Sequence, residues 1–123
     1  AEYGAIFDAI QKRNVERHNA GDVSFADELY DAHAVVVDKT NKKHFFGLAE
    51  IKPNVEGFVK MGKIDFKAAR KDIHEAGTDR FLVDLDFETT IVEAGLVIKG
   101  SFQQLFHKTG DQWKVVYECY EMH

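Results

Sequence analysis

A chain of 123 residues with 45% hydrophobic and 30% charged residues has the size and apolar content expected of one domain, residues 1–123, around one core. Its formal charge of −5 argues against a general affinity for nucleic acid or an anionic membrane, and no apolar run approaches membrane-spanning length. The one cysteine, Cys119, rules out an intramolecular disulfide, and AEYGAIFDAI carries no secretory pattern, so the expected setting is cytoplasmic.

Helical spacing opens the chain. Ile6, Phe7, Ile10, Asn14 and His18 recur at steps of three or four and define one face. Asn19-Ala20-Gly21-Asp22 reads as a helix stop. Ser24 and Asp27 form a loose capping box for a short second helix that carries Phe25, Leu29 and Tyr30 inward. Two short strands follow, Ala34 to Asp38 and His44 to Phe46, joined by the polar turn KTNKK. A third helix is expected between Leu48 and Met61, with Pro53 either opening its main part or kinking it. The remainder reads as four long strands: 63–74, 80–92, 96–108 and 113–122. Phe81, Val83, Leu85 and Phe87 alternate with Leu82, Asp84, Asp86 and Glu88, the pattern of a sheet with one dry face. The expected fold is therefore α+β: three helices covering a strongly twisted antiparallel sheet, in the order α-α-β-β-α-β-β-β-β.

This order, with Asn19-Ala20-Gly21-Asp22 closing the first helix and Gly47 opening the third, resembles the cone-shaped nuclear transport factor two-like superfamily, which includes ketosteroid isomerases and SnoaL-like cyclases. The resemblance covers essentially the whole chain. In the isomerases an aspartate shuttles a proton beside an oxyanion held by a tyrosine and a protonated carboxylic acid. The resemblance places Asp38 at the base and Asn14 at the helix-one tyrosine. Val55 falls at a supporting tyrosine, and Gln103 or Gln104 at the strand acid. Gln104 is favoured because it shares strand parity with Ile98, Phe102 and Phe106. An amide can donate to an oxyanion but is far less acidic than a phenol, and losing one good donor typically costs about 3–4 kcal/mol of transition-state stabilisation. Ketosteroid isomerisation itself is therefore not expected.

The same residues admit plainer roles. Asp38 can close a strand at the surface, Asn14 can make a buried structural hydrogen bond, and His18 can sit at the core edge. On the last strand, Val116, Glu118, Tyr120 and Met122 share the face expected to look into the cone, with Val115, Tyr117 and Cys119 on the other. If Glu118 and Asp38 both faced one pocket, repulsion would drive their pKa values apart. Alternatively, Glu118 pairs with a basic group at the rim. The expected pocket is lined by Phe7, Ile10, His18 and Phe58 from the helices. Phe81, Val83, Phe102, Glu118, Tyr120 and Met122 line it from the sheet. Neither a metal site nor a cofactor is expected, since no metal-ligand spacing or Gly-rich phosphate loop occurs.

Three functions fit: binding of a small apolar molecule in a conical pocket; proton-transfer catalysis of isomerase, lyase or cyclase type with Asp38 as base and Asn14 and Gln104 as oxyanion donors; or non-catalytic association. Apolar residues on the second face of the late strands lead to the expectation of a homodimer through the convex sheet.

Overall fold

The computed structural model describes residues 2–123. Helix α1 (Tyr3–Asn19) and the one-and-a-half-turn α2 (Phe25–Leu29) lead into strand β1 (Tyr30–Asp38) and its hairpin partner β2 (Lys43–Phe46). Helix α3 (Leu48–Val59) follows, then β3 (Ile64–Glu75), β4 (Arg80–Ile91), β5 (Leu96–Thr109) and β6 (Gln112–Met122). The six strands form one mixed sheet in the order β2-β1-β6-β5-β4-β3, antiparallel throughout except where β1 runs parallel to β6. The fold is thus α+β with the helices and strands in the expected order, and among the described residues no helix is long and apolar enough to cross a membrane.

The turn after α1 shows why its motif has these residues. The Asn19 side chain acts like a strand partner, donating from Nδ2 to the Ile64 carbonyl (3.1 Å) and accepting the Ile64 N–H at Oδ1 (2.8 Å), which ties the helix end to the start of β3. Gly21 takes φ +73°, a conformation that L side chains rarely adopt. The capping box is not formed: Ser24 makes no side-chain cap. Instead Asp22 accepts both the Ser24 N–H (2.9 Å) and its hydroxyl (2.6 Å), an Asx-type turn ahead of α2. Tyr30 is not helical. Its extended backbone begins β1, four residues before the expected start, because pairing with Val115 draws it into the sheet. Helix α3 runs unbroken across Pro53.

Aromatic rings from α1, β4, β5 and β6 form a packed plug. Phe81 stacks on Tyr3 (4.8 Å between centroids) and on Phe106 (4.8 Å, 8° between planes), while Trp113 meets both Tyr3 and Phe81 edge-on. Phe7 closes on Phe106 at 6.1 Å. Val83, Leu85 and Val115 are completely buried around this plug. Val115 was expected on the convex face. A bulge in the β5–β6 ladder, where Leu105 pairs Tyr117 but Phe106 pairs Val115, inserts Val116 and reverses the parity of β6 below it. The same bulge sends Trp113 inward.

Candidate functional site

Above the plug, the inward side chains of β5 and β6 form successive rungs. Phe106 pairs Val115, Gln104 pairs Glu118, Phe102 pairs Tyr120, and Gly100 pairs Met122. The first is core. The second is polar yet buried, with Gln104 7% and Glu118 9% exposed. From the third rung outward burial is partial: Phe102, Tyr120 and Phe87, with Val55 of α3, pack against the core but keep part of their surface in solvent, and Met122 and Asn14 of α1 are likewise half-buried. Residue 104, not the exposed Gln103, faces in.

The buried rung is a three-residue network. Glu118 Oε1 accepts the Tyr30 hydroxyl at 2.8 Å and the Gln104 Nε2–H at 2.6 Å. Neither donor uses Oε2, and Gln104 Oε1 is buried with no partner among the described residues. Burial raises the Glu118 pKa above its ordinary value, against the opposing pull of the two donors. Burial together with the Glu118 charge raises the Tyr30 phenol well above its usual range. Tyr30 could not be read as a site residue from the sequence, because its role depends on β1 lying parallel to β6 some 88 positions away.

Asp38 is 4% exposed and capped by its own turn, accepting the Asn41 N–H at Oδ1 (3.0 Å) and the Asn41 Nδ2–H at Oδ2 (2.9 Å). This is why the apolar run of β1 ends on an acid: the carboxylate organises the hairpin turn, which also places Lys42 at φ +56°. Burial pushes the Asp38 pKa up, but the bonds from Asn41, Tyr120 and the Thr40 N–H outweigh it and hold the value below the ordinary one. The two acids therefore diverge in opposite directions, through burial for Glu118 and hydrogen bonding for Asp38, and not through the mutual repulsion that the sequence led us to expect. Tyr120 stands between them, its phenol pushed up to about 12 chiefly by burial, with Asn54 of α3 reaching its hydroxyl at 3.4 Å.

The helix residues divide. Asn14 is half-buried on α1. His18 is 3% exposed, with Nε2 2.8 Å from the Gly62 carbonyl and its ring edge-on to Phe58 at 4.7 Å, so it joins α1 to the end of α3. Phe58 is itself 38% exposed. Phe7, Ile10, Phe81 and Val83 belong to the packed core. Two surface grooves are present: about 330 Å³ between α1 and β3, and about 530 Å³ along Val35, Val37, Asp38, Lys39, Lys42, Lys43, His44 and Phe46, so that Asp38 borders the second. Neither includes Gln104, Glu118 or Tyr120.

No protein-family model and no curated protein matches the sequence. Solved structures match by shape. A Xanthomonas campestris protein assigned as a calcium/calmodulin dependent protein kinase II association domain superposes with a TM-score of 0.82 at 15% identity, covering 99% of this chain and 86% of its own. A nuclear transport factor two-like protein of Pseudomonas putida KT2440 gives 0.78 at 18%, with coverages of 95% and 84%. A protein of Parabacteroides distasonis assigned as a ketosteroid isomerase gives 0.74 at 17%, with 95% and 85%. At these identities the likeness establishes the nuclear transport factor two-like fold and no particular activity.

Proposed function

We propose that this chain uses its nuclear transport factor two-like cone to bind a small molecule at the wide, concave end. The observation that carries the reading is the pairing of inward-facing but solvent-touched Phe102, Tyr120, Met122 and Val55 with an incompletely satisfied polar rung directly beneath them. Apolar walls with a few convergent polar groups are what small-molecule sites require. Proton abstraction by Asp38 has less support. Its carboxylate is occupied by the turn and held ionised below the ordinary value, whereas a general base works best with a pKa near the working pH. Thermal-shift screening with single-ring and fused-ring aromatics tests the binding reading. Hits should disappear in Val55→Trp, which fills the mouth; an unchanged melting temperature across the library overturns it.

The convex face favours a second, compatible role in self-association. Cross-strand pairing aligns Phe46, Val35, Tyr117, Leu105 and Leu82 in one apolar row across five strands. Phe46 is 56% and Tyr117 37% exposed. Lys39, Lys42 and Lys43 flank one end of the row, and Asp72, Asp84 and Asp86, shared by Arg70, lie toward the other. Two copies packed convex to convex about a twofold axis would match apolar row to apolar row and basic end to acidic end.

A further inference from the structure

We infer that the ligand taken at the concave end carries an amine or another multi-donor cationic group, received between Glu118 Oε2 and Gln104 Oε1. The inference rests on the binding reading above and adds the ligand's chemistry to it. Its basis is an imbalance in the buried rung. Three polar side chains meet there, and the Tyr30 hydroxyl and one N–H of the Gln104 amide converge on a single oxygen, Glu118 Oε1. The rung is left with acceptors in excess: the second carboxylate oxygen and the Gln104 carbonyl, the latter buried and unpartnered among the described residues.

An unpaired buried carbonyl is destabilising, so a site of this kind selects whatever supplies N–H groups. An ammonium supplies three and adds the charge that a buried carboxylate lacks. No Lys, Arg or His side chain makes an ion pair with Glu118 among the described residues, so the chain itself does not provide that cation. Aromatic rings on the next rung, Phe102 and Tyr120, give the amine's carbon frame an apolar wall and its charge a π face. A carboxylate or phosphate ligand would meet Glu118 as a like charge.

Three probes sharing one ring decide the matter: benzylamine, benzyl alcohol and benzoate, titrated against the full chain by calorimetry and by chemical-shift perturbation. Benzylamine should bind at least tenfold tighter than benzyl alcohol, with benzoate weakest, and the perturbed amides should include residues 102–104 and 118–120. In Glu118→Gln the amine's advantage should vanish while benzyl alcohol binding persists. Gln104→Met, which removes the free carbonyl together with the Nε2–H donor to Glu118 Oε1, should reduce the advantage in part and stands as the check if Glu118→Gln does not fold. Equal or tighter binding of benzyl alcohol or benzoate by the unaltered chain overturns the amine assignment and leaves the binding reading standing. Absence of binding by all three overturns both.

Discussion

Glu118 and Asp38 show how two carboxylates on neighbouring strands acquire opposite chemistry from their surroundings. Glu118 is more readily protonated in the fold than in the unfolded chain, so the stability it contributes is complete below the ordinary glutamate range and declines as pH rises through its raised folded value. Glu118→Gln abolishes that decline. Its melting temperature relative to the unaltered protein should climb as pH rises above the ordinary glutamate range, as followed by circular dichroism. Asp38 has a lowered folded value, so its contribution is present above the ordinary aspartate range and is lost as pH falls. Asp38→Ala should cost about 1–3 kcal/mol at neutral pH through the freed Asn41 donors, and the cost should shrink toward acid, as measured by urea denaturation. Asp38 was legible in the sequence as an anomaly, an acid ending an apolar run. The choice between turn cap and base was not legible, because it depends on where the Asn41 amide points.

Among the elements, the junctions are more specific than the helices and strands they join. The two bonds from Asn19 to Ile64 replace one ladder pair at the start of β3. Asn19→Ala should lower stability by about 1–3 kcal/mol and accelerate amide exchange at the N-terminal end of β3, visible by hydrogen-exchange NMR. In β5, Gly100 faces inward where any Cβ would collide with the Glu121 carbonyl and, at 2.8 Å, with the Phe87 ring. Gly100→Ala should therefore destabilise by about 1–3 kcal/mol, the usual cost of overpacking, and shift the Phe87 ring resonances. The alternation of β4 announced a strand with one dry face, and it is one. The bulge at Val116 left no comparable trace. A period-2 pattern reads the same in either parity, so an inserted residue shows only once Leu105 and Phe106 are paired with their partners.

At the scale of the whole molecule, the aromatic plug carries stability, and the apolar convex row is the surface proposed for association. Phe81 has no exposed surface and touches Tyr3, Phe106 and Trp113, so Phe81→Ala should cost about 3–5 kcal/mol, read from the shift in denaturation midpoint. Convex pairing predicts dimers at micromolar concentration by sedimentation, and monomers for Tyr117→Glu, which sets a charge in the centre of the row. Sedimentation as a monomer in the unaltered protein would remove that role and leave the concave site untouched.

Element order, the dry face of the sheet and the glycines at its turns were all determined by the sequence alone, since periodicity and backbone sterics act over a few neighbouring residues. Only the tertiary structure decided which inward residues form the packed plug and which keep part of their surface in solvent. Only it brought Tyr30, Gln104 and Glu118 onto one oxygen. Burial and hydrogen-bond partnership are properties of strands that meet across the fold, and no local pattern in the chain encodes them.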